Sequence, residues 1–370
     1  PSYNDKSVDE ALPKWFYQNY VFEGQPRYSV VVAEDGGKSY DHFGDREAGY
    51  EYEYLLPSGD KQKVRIEKIR LESASNKTLD EMLVVRRSDR TGFKSGALNN
   101  VLHLIETGAL KDLGGIEVPD YFMIVDADHE PGRNRFLRLF LCESRECREF
   151  ENRPLDSSIY GKLNEKLKKY EIVGRELLGL DSYKLDSRVM DDPNSLITRA
   201  VELVEYHRRF IPQLAGVQGY QNHYVVDGSM DKLVRASHIL AQFNLVLRSS
   251  KIKVEVIDKN TGERRVYEVR ENGVLKPISK LLYTRFKKIN EFEENGRIYR
   301  VYVSNHGFPL FTGSSGIIRG DLLLRYKFAD GIFVEHQSVT EDWELSIRLQ
   351  RDGYYIFATH QLETWGRPPE

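Results

Sequence analysis

The stretch "YFMIVDADHEPG", residues 121–132, places two acids, Asp126 and Asp128, directly after an apolar run. The run has the length and composition of a buried strand, and ligands of open α/β sheets bind beyond the carboxyl ends of strands. Carboxylate oxygens two positions apart suit Mg²⁺ or Mn²⁺ shared with a substrate phosphate. A solvated acidic turn has the same short pattern. His129 is either a further ligand or a polar loop residue.

The segments before this stretch predict alternating strands and helices. "RYSVVVAEDGG" contains a Val30–Val32 run typical of a buried parallel strand, and "MLVVRRSD" is another short strand. After these two strand segments and before residue 121 comes "KSGALNNVLHLIETGAL". It has apolar residues at helical spacing: Leu98, Val101, Leu102 and Ile105. The pattern predicts an α/β fold with a mostly parallel sheet flanked by helices.

The segments after it add two insertions to this core within one domain, residues 1–370. Residues 133–212 are charged and helix-like and predict a helical insertion. Residues 250–297 contain two alternating strands around Asn260–Gly262, which predict a β-hairpin insertion. "VTEDWELSIRLQRDGYYIFATH" predicts a helix that Gly353 ends, followed by a strand.

Composition excludes several classes of protein. The chain has 370 residues, of which 40% are apolar and 30% charged, as in soluble globular domains. A net charge of −3 lacks the basic excess expected of a nucleic-acid-binding protein. No apolar run approaches the roughly 18 residues that span a bilayer. The two cysteines, Cys142 and Cys147, have neither zinc-site nor disulfide spacing and are predicted to be free thiols.

Two further motifs are candidates for contacts with a nucleotide diphosphate. Glu34 and Asp35 end a strand before Gly36-Gly37, either as a plain acidic turn or as acceptors from a base or ribose. Lys94 stands at the start of a predicted helix, where an ammonium and a helix N-terminus together suit a diphosphate. A routine solvated lysine is the alternative.

Asp342 is the candidate general base. It lies in "SVTEDWELSIRLQRDG", at the start of the predicted helix. Ser338 and Glu341 fit a helix capping box, and acids in a first helical turn complement the macrodipole. The alternative interpretation places Asp342 at a pocket wall, where it accepts a proton. This stretch alone favours the cap.

Taken in order, the motifs resemble those of family 2 glycosyltransferases, in particular the processive synthases typified by bacterial cellulose synthase. The matching segments run along the core of the chain, whereas the two insertions have no counterpart. They are "PSYND", "VVVAEDGG", "RRSDRTGFKSGALNN", "VDADHEP", "VQGYQNHY", "FPLFTGSSGIIRGDLL" and "VTEDWELSIRLQRDGYYI". One departure is Glu34, which stands where the family usually has Asp.

The resemblance implies a GT-A-type fold and a role for each matched residue. Nucleotide contacts are implied for Tyr3, Glu34, Asp35, Arg87, Lys94 and Asp126. Asp126 and Asp128, the DxD motif, are the implied ligands of Mg²⁺ or Mn²⁺. In the TED motif, Asp342 is the implied base, and Glu341 and Thr340 position its loop. Thr312, Gly313 and Ser314 are implied to border the acceptor.

The implied activity is metal-dependent, inverting transfer of a sugar, with UDP-hexose as the expected donor, to a growing glycan. A non-processive transferase that adds one sugar to a lipid or short acceptor is the first alternative, and a catalytically silent nucleotide-binding scaffold is the second. The chain ends before the family's Q-x-x-R-W segment would be expected. We therefore expect a longer protein, anchored by transmembrane helices outside this chain at the cytoplasmic face of the membrane.

Overall fold

The chain folds as a mixed α/β protein in the computed structural model, in which strands outnumber helices. The model describes residues 8–15, 28–35, 45–46, 49–55, 61–70, 81–87, 92–132, 196–223, 252–269, 275–279, 281, 283–304, 309–328 and 341–366. The helices are α1 Val8–Trp15, α2 Phe93–Glu106, α3 Ala109–Gly114, α4 Leu196–Phe210, α5 Gly320–Tyr326 and α6 Glu341–Arg351. The strands are β1 Val31–Asp35, β2 Asp45–Arg46, β3 Tyr50–Leu55, β4 Lys61–Arg70, β5 Glu81–Arg87, β6 Tyr121–Ile124, β7 Glu130–Pro131, β8 Leu214–His223, β9 Ile252–Asp258, β10 Arg264–Val269, β11 Leu275–Ile278, β12 Phe286–Glu294, β13 Arg297–Ser304, β14 Gly316–Arg319 and β15 Tyr355–Gly366.

The first sheet is built from the N-terminal strands, in the order β1-β5-β4-β2, with β3 also paired to β4. β1 and β5 are parallel, as the Val-rich runs predict. β3 and β4 form the hairpin expected around "PSGD". Buried residues of β4 and β5 pack with Leu104 of α2 and Leu110 of α3, both of which are 0% exposed. Of the predicted apolar stripe of α2, Val101, Leu102 and Ile105 are buried and Leu98 is partly buried, so the stripe faces the core.

The second sheet carries the acidic stretch, in the order β6-β14-β8-β15-β7. β8 lies near its centre and is buried from Leu214 to Gln221. It pairs in parallel with β15 and antiparallel with β14. α5 and α6 pack on one side, where Leu345 and Leu349 are fully buried beside Phe311 and Ile356. This packing places the start of α6 near the end of β6.

The third sheet, β11-β10-β9-β13-β12, is antiparallel throughout and includes the predicted hairpin. One face carries Val254, Val256 and Val301, which share an apolar core with α4, β8 and β15. α4 is the last part of the predicted helical insertion, and its Ala200 and Leu203 are 0% exposed. The sheet and α4 are therefore built into the core. Residues 133–195 of that insertion lie outside the described residues.

The prediction of a mostly parallel sheet is wrong for the described strands. Only β1 with β5 and β8 with β15 pair in parallel there. In the third sheet the physical reason is local: strands joined by short turns, such as Asn295-Gly296 between β12 and β13, must run antiparallel. Both residues of that turn have positive φ (50° and 73°), as a two-residue hairpin of type I′ requires.

Among the helices described, none combines the length and the apolar character that crossing a bilayer requires.

Candidate functional site

Lys94 joins the start of α2 to the loop that follows β6. Its ammonium donates to Asp126 Oδ1 at 2.5 Å and to the main-chain oxygen of Gly313 at 3.0 Å. The side chains of Lys94 and Asp126 are 29% and 34% exposed, so the pair is partly open to solvent. The helix begins after Gly92, which has φ 73°. Three segments distant in the sequence thus meet at one ammonium group.

Asp342 lies beside this pair, in the first turn of α6. Its Oδ1 accepts a hydrogen bond from the backbone N–H of Trp343 at 2.8 Å. A Cβ built on Gly313 would lie 2.8 Å from Asp342 Oδ2 and 3.2 Å from Lys94 Nζ. Gly313 also has φ 76°, a left-handed conformation that disfavours a residue with a Cβ. The acid of α6 and the Lys94–Asp126 pair therefore face the same small volume.

The segment Phe311–Ser315, the 311–315 turn, connects these groups. The hydroxyl of Ser314 accepts from the backbone N–H of Asp126 at 2.8 Å and lies 3.2 Å from His129 Nδ1. The backbone N–H of Phe311 donates to Ser346 Oγ at 2.7 Å, and that hydroxyl donates to the main-chain oxygen of Asp342. The expected acceptor segment is thus in direct contact with both acidic segments.

The pKa of Asp126 reflects opposing effects. Burial alone would raise the pKa of this carboxyl, but the positive charge of Lys94 and the neighbouring His129 outweigh burial and hold the pKa below its ordinary value. Asp126 is therefore a carboxylate at neutral pH, as a ligand of a divalent cation must be.

Asp128 and His129 follow Asp126 in the chain, and their side chains lie against β15. Asp128 Oδ1 is 4.0 Å from His129 Nε2, and the His129 ring is 3% exposed and 3.0 Å from Thr364 Oγ1. Both side chains border Gly366, because a Cβ there would lie 2.8 Å from Asp128 Oδ2 and would overlap the imidazole. β15 therefore closes one side of the acidic loop, which is residues 125–129 between β6 and β7.

The residues present fit a divalent cation that is shared with a ligand. Within the described ranges, no three His, Cys, Asp or Glu side chains are grouped so that they could hold a metal ion by themselves. Mg²⁺ commonly takes only one or two protein carboxylates and completes its shell with water and substrate phosphates. Lys94 already bonds Asp126 Oδ1, which leaves Asp126 Oδ2 and the Asp128 carboxylate as the oxygens that could meet a cation.

Other contacts hold the acidic loop in place. The indole N–H of Trp15 in α1 donates to the main-chain oxygen of His129 at 3.1 Å, and Lys14 forms an ion pair with Glu130. The backbone N–H of Gly132 donates to the main-chain oxygen of Glu363 at 2.7 Å. The ring of Trp365 lies against Gly132, where a Cβ would be 2.5 Å from its Cδ1.

Glu34 and Arg87 form their described contacts with other groups than the Lys94–Asp126 pair. Glu34 is 0% exposed and accepts from Arg86 Nε at 2.6 Å across the β1–β5 pair. Arg87 is 3% exposed and donates to the main-chain oxygen of Phe93 at 3.1 Å, directly before Lys94. Arg87 thus supports the start of α2, while direct contact of Glu34 with a nucleotide stays a prediction.

Several expected site residues lie outside the description. Tyr3, Thr340 and the capping-box Ser338 are outside the described residues, as are the side chains of Asp35 and Glu341. The structure describes the following expected site residues and brings them together at or around the 311–315 turn: Lys94, Asp126, Asp128, Thr312, Gly313, Ser314 and Asp342.

Two buried residues at the site were missed by sequence reasoning. Gln218 and Gln221 of β8 donate to main-chain oxygens of the 311–315 turn. They stand three residues apart in a strand that is otherwise largely apolar or small, and buried amides in such a strand need hydrogen-bond partners. Two amide side chains in a mostly apolar strand were therefore the signal, in the sequence, that hydrogen-bond partners for them lie elsewhere in the chain.

Comparison with known proteins returned no match: no protein-family model, no curated protein and no solved structure is similar to the chain.

Proposed function

We propose that this chain is the catalytic domain of an inverting family 2 glycosyltransferase with a GT-A-type fold. It transfers a hexose from a UDP-sugar to a hydroxyl of a growing polysaccharide and forms a β-linkage. The observation that carries the proposal is the position of Asp342: its Oδ2 and the ammonium of Lys94, itself bonded to Asp126, lie around one point on Gly313. A helix-capping aspartate has no need of this neighbourhood.

The geometry supports a single displacement. Asp342 takes the proton from the acceptor hydroxyl as its oxygen attacks the anomeric carbon. The bond from that carbon to the phosphate oxygen breaks, and the electron pair leaves with the nucleoside diphosphate. Attack opposite the leaving group inverts the centre, so an α-linked donor gives a β-linked product. The hydrogen bond from Trp343 N–H fixes the orientation of the Asp342 carboxylate.

Lys94 and the acidic loop act on the leaving group. The ammonium of Lys94, at the N-terminus of α2, is placed to neutralise charge that develops on the diphosphate. Asp126 and Asp128 are the residues that would hold Mg²⁺ or Mn²⁺, which supplies further positive charge to the same diphosphate. Ser314 Oγ fixes the backbone N–H of Asp126 and so the direction of that carboxylate.

The fold gives supporting but coarser arguments. The parallel pair β1 and β5, covered by α2, ends at Asp35 and Arg87, where the resemblance expects the nucleotide. The acidic loop follows β6, as ligand sites of α/β sheets do. The proposal also carries the expected setting: the cytoplasmic face of the membrane, with attachment through segments outside this chain.

The deciding experiment is nucleotide release by the purified chain. A set of UDP- and GDP-sugars is incubated with Mn²⁺ or Mg²⁺, and the released nucleoside diphosphate is measured. Asp342→Asn should lower the rate of transfer by roughly 10²–10⁴-fold, because the acceptor loses its general base. Asp321→Asn is a matched control, since that acid of α5 is 61% exposed and pairs with Arg319 of β14.

The outcomes separate the proposal from its alternatives. Near-full transfer by Asp342→Asn would refute the base assignment. Nucleotide binding without any transfer would favour the silent scaffold. With an active chain, product length on a gel distinguishes processive synthesis from addition of one sugar.

A further inference from the structure

The 311–315 turn has a backbone conformation that does not form by itself. Gly313 and Ser315 have φ of 76° and 59°, and the second is unusual for a residue with a Cβ. Ser314 and Ser315 are both 0% exposed. A buried segment with two left-handed residues persists only where surrounding contacts determine it. The contacts that do so must come from outside the turn.

Gln218 and Gln221 supply four described hydrogen bonds to the main chain of the turn from one strand. Gln218 Nε2 donates to the main-chain oxygen of Ser314 at 2.8 Å, and its Oε1 accepts from the backbone N–H of Thr312 at 2.9 Å. Gln221 Nε2 donates to the main-chain oxygens of Thr312 and Ser314 at 3.1 and 3.0 Å. The glutamines are 2% and 6% exposed. Two buried amides thus fix both ends of the left-handed Gly313.

The 311–315 turn contacts the segments that carry the three charged groups, Lys94, Asp126 and Asp342. Its Gly313 oxygen accepts from Lys94, its Ser314 hydroxyl accepts from the backbone of Asp126, and its Phe311 N–H reaches the helix of Asp342 through Ser346. The described hydrogen bonds give the two glutamines a route to the charged groups: their amides hold the main chain of Thr312 and Ser314, and the turn holds Lys94 and the backbone of Asp126.

We propose that Gln218 and Gln221 are positioning residues that hold the 311–315 turn in its left-handed form and thereby set the separation between Asp342 and the Lys94–Asp126 pair. The inference rests on the proposed function for its catalytic consequence, but the positioning itself can be measured without turnover. A shift of about 1 Å in such a constellation can lower a rate by about 10²-fold.

The first measurement is hydrogen exchange, followed by mass spectrometry, on the Gln218→Met and Gln221→Met variants. The methionine side chain is similar in length to that of glutamine but cannot form the hydrogen bonds of the amide. Amides of residues 309–316 and 126–132 should exchange faster, while those of the third sheet keep the wild-type rate. Val217→Ala is the control: it lies on the same strand, is 1% exposed and packs in the apolar core, so it destabilises the protein without touching the turn.

The second measurement is steady-state transfer. Each methionine variant should lower kcat by about 10–100-fold, with KM for the nucleotide-sugar changed much less, whereas Val217→Ala stays near wild type. Unchanged exchange at the turn, or wild-type kcat in both variants, overturns the inference. If the wild-type chain transfers no sugar, the proposed function fails, and the exchange data alone decide whether the glutamines position the turn.

The Gln221→Glu variant adds a second test, the pH dependence of kcat, which a merely structural role of Gln221 would not change. The new carboxyl would face two carbonyl oxygens, which disfavour its ionised form and raise its pKa. The protonated acid can donate one hydrogen bond where the carboxylate cannot. The kcat of this variant relative to wild type should therefore rise as the pH falls, while that of Gln221→Met should not. Parallel pH profiles for the two variants would contradict positioning by hydrogen-bond donation.

Discussion

At the scale of single residues, two neighbouring arginines of β5 illustrate different uses of charge. Arg87 contacts the start of α2 at the candidate site, whereas Arg86 is buried with Glu34 and also approaches Glu67 at 3.5 Å. Adjacent side chains on a strand point to opposite faces, so one residue step separates a site-supporting role from an interior ion pair. The sequence "VVRRSD" does not indicate which arginine faces which side.

Removing Arg86 should be costly. Arg86→Met leaves the fully buried Glu34 without its counter-charge and should lower the free energy of unfolding by about 3–5 kcal/mol, measured by urea denaturation. The double variant Glu34→Leu/Arg86→Met should recover much of that loss, because no buried charge remains. Arg65→Met, at an arginine 55% exposed in the same network, should change stability by less than about 1 kcal/mol. Equal losses in both single variants would contradict this interpretation.

His207 should make stability depend on pH. Its imidazole is 0% exposed and stacks on Phe357 at 4.0 Å, and burial lowers its pKa to about 4. The unfolded chain binds the proton near the ordinary pKa of 6.5, so between pH 6.5 and 4 the unfolded state holds more protons. This contribution to stability is complete above pH 6.5 and is lost as the pH falls, by up to about 3 kcal/mol.

The measurement is urea denaturation from pH 7 to pH 4 on wild type and His207→Phe. The variant keeps a flat ring in the same place and should lose this part of the pH dependence. If both proteins lose stability equally on acidification, the assignment to His207 is wrong.

At the scale of elements, one helix end and one hairpin turn were predicted correctly from sequence. Gly353 was expected to end the helix that begins near Asp342, and it does, with φ 86° two residues after Arg351. The hairpin around Asn260–Gly262 was likewise confirmed. Both depend on local backbone preferences that sequence expresses directly. The contacts of Gln218 and Gln221 with the 311–315 turn were not predictable in this way, because their partners lie more than ninety residues away.

Gly353→Ala should isolate the backbone cost of that helix end. A Cβ at this position meets no atom within 4 Å, so the whole effect is the left-handed conformation. The free energy of unfolding should fall by about 1–2 kcal/mol, and Gly353→Asn should lose less, because asparagine tolerates this conformation. Denaturant titration of the three proteins provides the comparison. An alanine variant as stable as wild type would show that the helix end can relax.

At the scale of the whole molecule, α4 joins two sheets that sequence reasoning had separated. The hairpin was expected as an insertion, and its alternating Ile252, Val254 and Val256 do predict an apolar face. Alternation does not say what that face packs against. In the structure it packs with α4 and with β8 of the second sheet. The location of the acids at strand ends was inferred from sequence, but the packing that joins the sheets was not.

Leu203→Ala should test this shared core. The residue is 0% exposed on α4, and its truncation should lower the free energy of unfolding by about 2–5 kcal/mol. Because α4 packs with both sheets, hydrogen exchange of the slowest amides in β8 and in β9 should accelerate by the same factor. Acceleration confined to one strand would show that the third sheet unfolds independently.

The positions of the tryptophans give the molecule an optical property. The chain has three: Trp15 donates to His129, Trp343 follows Asp342, and Trp365 lies against Gly132. All of them border the acidic loop or the first turn of α6. Tryptophan emission from the unlabelled protein, excited at a wavelength that tyrosine does not absorb, therefore originates in this one region, and its quenching by Mn²⁺ or a nucleotide reports occupancy there without any attached dye.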